Sequence, residues 1–421
     1  MLDVFLAVMF SLLAIVNIVA LIIFIYPMKK ITANFCPKLS IVVPAHNEER
    51  YIENTIDSIK KADYGNERDI IIVDDGSSDG TKNIIKDISK KYKNVRTFRI
   101  AHSGKSAALN YGIKKAVFGV IVYVDADSSI GKDCLLKLVQ PLRDKDIVIS
   151  SGIIRARHTK NPLTWFQDID YIASSGWRYV CSKVDATYIA PGFAAFKKDA
   201  VVSIGGFSKD TLTEDIDTTI TLRKAGYGAA MTDAVMLTSV PSTLHSLIRQ
   251  RIRWGRGSIQ VAKKHSDLLF SRKASLVGLY SFPMHLFWYA FAILYLPFAV
   301  YWITTSYLTS VTSIFSLQTA VFAVKWFSLY GILDLLYKTY AGYYSITPLI
   351  ASVIISWVLS FIYLIISMRK FSAFSWKFLV YFIMFPYYWL MFTIQGLVLA
   401  YEALSRKKGS NVWKKFDGKH Y

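Results

Sequence analysis

Two long apolar stretches limit what this chain can fold into before any motif is read. Val4 to Tyr26 carries no charged side chain and is long enough to cross a bilayer as a helix. From Leu276 to Leu404 the chain is again dominated by Leu, Ile, Val, Phe, Tyr and Trp. At 53% hydrophobic residues and a mean hydropathy of +0.32, the chain is too apolar for an ordinary soluble protein of 421 residues. From about Pro37 to Lys273 the composition is that of a soluble domain. The expected layout is an amino-terminal anchor over 1–30, a catalytic-type soluble unit over 37–242, a basic amphipathic helix over 243–273, a four-helix membrane region over 274–404 and a basic tail over 405–421. The first stretch lacks a basic amino-terminal region and is too long for a cleaved leader, so it is expected to stay as an anchor.

The net charge of +20 invites a nucleic-acid reading. That reading is set aside, because many Lys and Arg sit beside membrane segments and no nucleic-acid module is present. Three cysteines without paired spacing argue against a disulfide frame or a zinc site, and fit a reducing compartment.

The soluble segment alternates strands and helices. Leu39–Pro44, Ile70–Val73, Val95–Ile100 and Val120–Val124 are short apolar or β-branched runs. Helical periodicity follows each of the first three. Alternation at this pace predicts βαβ units and a parallel sheet, with ligands beyond the carboxyl ends of the strands. That rule gathers Glu48, Asp75, the Gly104-Lys105 turn and Asp127 around one crevice. Asp125-Ala126-Asp127-Ser128 ends the fourth strand abruptly. Two carboxylates there offer hard oxygen ligands to a divalent cation holding a diphosphate, or else form a solvated turn. No Gly-x-Gly-x-x-Gly follows the first strand. Ser103-Gly104-Lys105-Ser106 imitates a P-loop end, but its first glycine position is occupied by Arg99. Lys105 is left as a phosphate contact or a solvated helix-start lysine.

Further on, Trp165, Phe166, Tyr171, Trp177 and Tyr179 form an aromatic cluster that is core or a sugar-stacking face. Ala190-Pro191-Gly192-Phe193 reads as a loop. Thr213-Glu214-Asp215-Ile216-Asp217 opens a helix, with Thr213 as a cap and acids in the first turn. An ionised Asp215 facing the metal-type strand end is a candidate general base. Leu244 to Lys264 is basic and amphipathic, expected at the membrane surface. That expectation leaves Gln250-Arg251-Ile252-Arg253-Trp254 unexplained as a unit.

Asp75 in Val73-Asp74-Asp75-Gly76-Ser77, the Asp125-Ala126-Asp127 triplet, Thr213-Glu214-Asp215 and Gln250-Arg251-Ile252-Arg253-Trp254 occur in that order. The chain thereby resembles the membrane-integrated, processive family 2 glycosyltransferases: cellulose, chitin, hyaluronan and poly-N-acetylglucosamine synthases. Its Leu212–Asp217 segment and single amino-terminal span are most similar to poly-β-1,6-N-acetylglucosamine synthases. The resemblance implies a GT-A fold, an α/β domain with a Rossmann-like parallel or mixed sheet, between transmembrane helices. It implies a UDP-sugar donor, with a lean to UDP-N-acetylglucosamine, a growing polysaccharide acceptor, and Mg²⁺ or Mn²⁺ at Asp127. Pro44, Glu48, Asp75, Lys105, Asp125, Gln250 and Arg253 would surround the donor. Trp254 and Gly192 would meet the acceptor, and Asp215, with Glu214 beside it, would serve the chemical step. The implied reaction is a single inverting displacement with no covalent intermediate. Departures from the family are the lack of a Gly-Asp-Asp version of the third motif and of a Phe-x-Val-Thr-x-Lys gating loop. Trp413, Lys414 and Lys415 are faintly similar to a hyaluronan-type carboxyl terminus.

Four later spans are expected, near Val277–Ile303, Val311–Leu335, Ser345–Ile366 and Lys377–Ala400. Five crossings put the soluble unit and the tail on the cytoplasmic face of the plasma membrane. Lys29 and Lys30 agree with that. Met368-Arg369-Lys370 and Lys377 then flank an outside loop, against the positive-inside trend, unless part of Val277–Leu335 lies flat. Two rivals remain: single transfer to a lipid-linked acceptor, and an inactive nucleotide-sugar fold in a receptor or transport component. The reading leaves room for an oligomer or an accessory subunit.

Overall fold

The computed structural model describes residues 2–27, 35–310, 316–371 and 374–404. Lys29, Lys30 and the tail from residue 405, with Trp413 to Lys415, lie outside them. The centre is an eight-stranded mixed sheet, β1 Leu39–Ala45, β2 Arg68–Asp75, β3 Val95–Ile100, β4 Val120–Val124, β5 Ser128–Ile130, β6 Ile147–Ala156, β7 Phe193–Lys197 and β8 Gly228–Thr238. Its order is β3-β2-β1-β4-β7-β6-β8-β5. The first four strands are parallel, as the alternation predicts. β7 then pairs antiparallel with both β4 and β6, and β5 antiparallel with β8. The second half is thus mixed. Phe193, which reads as loop in sequence, begins an interior strand, because it packs against the completed sheet and not against its chain neighbours.

β1 is buried along its whole length, with β2 and β4 on either side. The chain runs outward through β2 and β3, then returns to the other side of β1 as β4. This switch opens a crevice between the carboxyl ends of β1 and β4. Helices α2 Ile52–Lys60, α3 Thr81–Lys91, α4 Lys105–Lys115 and α5 Cys134–Val139 belong to the first half of the domain. α6 Pro162–Lys183, α7 Lys198–Ser203 and α8 Glu214–Lys224 belong to the second.

The apolar part consists of α1 Leu2–Ile25, α10 Phe282–Ser310, α11 Leu317–Phe327, α12 Tyr330–Tyr340, α13 Pro348–Lys370 and α14 Phe385–Leu404. Between the two parts runs α9, Leu244–Lys264. Thr243 caps α9 through a reciprocal bond with Ser246. One hydrophobic core joins Phe24 of α1, Ile172 of α6, Leu247 of α9, Leu364 of α13 and Met391 of α14 to Ile153 of the sheet. Lys183 on α6 donates to the carbonyls of Ile23, Phe24 and Tyr26, at 3.1, 2.6 and 2.6 Å. This satisfies the last turn of α1 and latches it to the α/β domain.

Three helices are long and apolar enough to cross a membrane: Leu2–Ile25, Val277–Thr309 and Pro348–Lys370. The expected crossing at Val311–Leu335 is replaced by α11 and α12, two 11-residue helices bent by 91°. Each is about 16 Å long, short of a bilayer core. The expected crossing at Lys377–Ala400 is broken as well. A 3₁₀ stretch, Trp376–Ile383, precedes α14, whose Pro386 favours a helix start there. α14 packs on α9 and α10. The basic end of α13 meets the α/β domain, Lys370 pairing with Asp233 at 3.5 Å. Arg369 and Lys370 therefore sit against the same α/β domain that holds the end of α1, a placement the five-crossing layout did not expect.

Candidate active site

Every residue singled out for the site lines one cavity of about 2690 Å³: Pro44, Glu48, Asp75, Lys105, Asp125, Asp127, Gly192, Glu214, Asp215, Gln250, Arg253 and Trp254. They come from the ends of β1 to β4, the turn before β7, the start of α8 and the middle of α9.

Asp125 and Asp127 follow β4. The Asp125 amide donates to the Gly192 carbonyl at 3.1 Å. Gly192 has φ +47°, and a Cβ there would lie 2.9 Å from Asp125 Oδ2, so only glycine fits this turn. Asp127 accepts from the hydroxyls of Ser128, at 3.2 Å, and Thr238, at 3.3 Å. Burial, and then Asp125 beside it, push the Asp127 carboxyl up to about 6.

Lys105 opens α4. Its ammonium lies 2.7 Å from Asp125 and 3.0 Å from Glu214. Burial opposes its charge, yet the two acids hold its pKa above the ordinary value. The Asp75 carboxylate accepts from the amides of Ser103, at 2.8 Å, and Gly104, at 2.9 Å, and contacts His102 Nδ1 at 2.9 Å. Asp75 is therefore engaged in fixing the turn that delivers Lys105, a role its motif alone does not reveal.

Glu214 and Asp215 begin α8, yet their environments push them apart. Burial raises both. Lys105 and Arg253 outweigh it at Glu214, which is held below its ordinary value. At Asp215 burial and the neighbouring Glu214 prevail, and the carboxyl is pushed up to about 6. Its Oδ1 accepts from the Ile216 amide at 2.9 Å. Glu214 is thus a fixed anion paired with Lys105, and Asp215 is the carboxylate able to take a proton near neutrality.

α9 can reach this group because of Gly257. A Cβ there would stand 2.5 Å from Thr213 Cγ2 and 2.9 Å from the Thr213 amide. Gly257→Ala is expected to displace the Thr213–Asp215 segment and cost on the order of tenfold to a hundredfold in turnover. Turnover and melting temperature measured together check this; unchanged turnover would mean that the segment tolerates the displacement.

Trp254 is stacked on Tyr171, with centroids 6.2 Å apart, and the Arg251 guanidinium lies 4.6 Å from its ring. Arg251 is pinned by Asp170, at 2.8 Å, and by the hydroxyl of Tyr387 on α14, at 3.0 Å. Sequence reasoning missed Asp170 and Tyr387 and left Tyr171 between core and a sugar-stacking face, since only the helix packing brings all three to Trp254. Gln250 Oε1 and Thr213 Oγ1 are buried with no hydrogen-bond partner among the described residues. The aromatic cluster divides: Tyr171 and Trp177 line the cavity, whereas Tyr179 packs in the core.

Residues 40–205 match the model of the family described as Glycosyl transferase family 2. The matched segment is a family 2 glycosyltransferase domain. Over 250 residues it is 30% identical to the poly-beta-1,6-N-acetyl-D-glucosamine synthase of Staphylococcus aureus (strain COL), covering 58% of this chain and 59% of that one. Over 274 residues it is 31% identical to the probable glycosyltransferase YdaM of Bacillus subtilis (strain 168), covering 61% and 64%. The family 2 alignments thus span less than two thirds of these relatives. Among solved structures, the mannosyltransferase PcManGT of Pyrobaculum calidifontis, in complex with GDP-Man and Mn²⁺, shares the fold. Its TM-score is 0.58 at 23% identity, over 87% of this chain and 99% of that one.

The donor set fits a divalent cation. Asp125 and Asp127 stand two residues apart just past the end of β4, and both line the cavity as hard oxygen donors. His46, Asp75 and His102 form a separate group with ligand atoms within 4.8 Å of one another. There the imidazoles already contact Asp75, His46 Nδ1 its carbonyl at 2.7 Å and His102 its carboxylate.

Proposed function

We propose that the chain is a metal-dependent inverting glycosyltransferase that extends a β-linked polysaccharide from a nucleotide sugar at the cytoplasmic face and passes it among its own spans. The observation that carries this reading is the continuity of the cavity. It runs from Asp127 and Asp215, past Trp254, to Trp302, Trp326 and Trp357 in the apolar part. UDP-N-acetylglucosamine is the first donor to test, since a relative is named as a poly-N-acetylglucosamine synthase.

In this mechanism Asp215 removes the proton from the acceptor hydroxyl. The oxygen attacks the anomeric carbon as the bond to the diphosphate breaks on the opposite face. Lys105 and Arg253 offset the charge of the departing diphosphate. Mg²⁺ or Mn²⁺ held by Asp127, with Asp125 beside it, would add to that offset when bound. Trp254, braced by Tyr171 and Arg251, supports the acceptor end.

The test is incubation of the full chain in nanodiscs with Mn²⁺ or Mg²⁺ and a panel of UDP- and GDP-sugars. Long polymer is expected. A second reading, single transfer to a lipid-linked acceptor, is favoured by one observation: three spanning helices and a bent pair make a sparse wall for a closed conduit. Addition of one sugar to a lipid would establish it in place of the first. No nucleotide release from any donor would sink both.

The pH dependence follows from Asp215. Its pKa is raised to about 6, so the base is ionised above that pH and protonated below it. Turnover is expected to level off above pH 6 and to fall about tenfold per unit below it. A flat profile down to pH 5 would exclude Asp215 as the base.

A further inference from the structure

We propose that Arg178 reads the donor sugar, binding a carbonyl-type oxygen on it: either the carbonyl of an N-acyl group or the carboxylate of a uronic acid. This inference rests on the glycosyltransferase reading above and names the substrate class of the same site. No sequence motif pointed to this residue. Arg178 lies on α6 in the wall of the catalytic cavity, with Tyr188, Gly192 and Asp215 lining the same space. It is 4% exposed.

Its hydrogen-bond partners are neutral. Nη1 donates to the Gly152 carbonyl and Nη2 to the Ser175 hydroxyl, each at 2.9 Å. Among the described residues it forms no ion pair, unlike Lys105 with Asp125 and Glu214, or Arg251 with Asp170. A guanidinium carries five N–H donors and no acceptor. Burying its charge against neutral groups is unfavourable, and burial pulls its pKa down to about 10.

A structural duty explains only part of this. Gly152 sits at a register shift between Ser151 and Ile153 in the pairing of β6 with β8, and Nη1 satisfies its carbonyl. A neutral amide side chain could do the same without a buried charge. Asp125, Asp127 and Asp215 line the same cavity as Arg178. Arg178 thus shares one space with both the metal-type strand end and the base, the two groups that an in-line displacement places around the donor sugar. A carbonyl or carboxylate oxygen accepts a charge-assisted bond from a guanidinium and asks for no proton in return. A hydroxyl is a weaker acceptor whose own proton finds no acceptor on Arg178.

The experiment measures nucleotide release by the full chain in nanodiscs with Mn²⁺. The donors are UDP-N-acetylglucosamine, UDP-glucuronic acid, UDP-glucose and GDP-mannose. The native protein is expected to favour one of the first two over UDP-glucose by at least about tenfold in kcat/KM. Which of the two is favoured identifies the oxygen as acyl or carboxylate. Arg178→Gln, which keeps neutral hydrogen bonding, and Arg178→Met should bring the favoured donor within about threefold of UDP-glucose, with affinity for UDP unchanged. A native preference for UDP-glucose or GDP-mannose overturns the inference and leaves the glycosyltransferase reading intact. So does an equal loss on all donors in Arg178→Gln, which would mark a structural brace. Release from no donor at all defeats the functional reading itself. The donor preference of the native protein needs no variant to fold.

Discussion

Asp215→Asn lowers turnover by about 10²–10⁴-fold and leaves donor binding within a few-fold. The two acids at the start of α8 are not equivalent. Glu214 is paired with Lys105 at 3.0 Å and held in its ionised form. Asp215 is the one pushed up to about 6. An amide at 215 still accepts from the Ile216 amide, so the helix start is preserved and the melting temperature should barely move. What disappears is the ability to take a proton. The measurements are turnover, donor affinity by calorimetry and melting temperature on the same preparation. Loss of donor binding would reassign Asp215 as a donor ligand. Retained turnover would move the base elsewhere, with Glu214 next in line.

Lys105→Met gives the second large effect, and on two quantities at once. Lys105 bridges Asp125 and Glu214, and its removal leaves the buried Glu214 and the half-buried Asp125 without their shared cation. Breaking such a pair from one side costs about 3–5 kcal/mol, so the melting temperature falls. Turnover falls as well, by about 10²–10³-fold, because the diphosphate loses a positively charged partner. The two effects separate in the double variant Lys105→Met with Glu214→Gln. Removing one orphaned acid should restore most of the stability and none of the activity. If activity returns with stability, Lys105 is only a structural tie. Donor affinity unchanged in Lys105→Met would lead to the same conclusion.

Much of the site was legible as separate pieces. Strand ends that finish in acids, with helices following, bring Glu48, Asp75, Lys105 and Asp127 to one edge of a sheet by a rule of topology. Apolar runs announced the anchor and the later helices. Charge spacing outlined α9 from Leu244 to Lys264, the bounds it has in the fold. The membrane count was less legible. Hydropathy alone does not distinguish a crossing from α11 and α12, whose bend at Ser328 and Leu329 depends on their neighbours.

The sequence by itself determined a parallel half-sheet, the apolar segments on either side of it and the residues that one cavity gathers. These follow from periodicities and turn chemistry that act within about ten residues. Only the tertiary structure decided that Lys105 pairs with Glu214, that Asp75 holds the Lys105 turn, that Arg251 and Tyr171 flank Trp254, and that Arg178 carries a buried charge without a carboxylate. The reason is physical. Whether a charge is paired, raised or depressed depends on groups separated by scores of residues along the chain, and packing alone sets those distances.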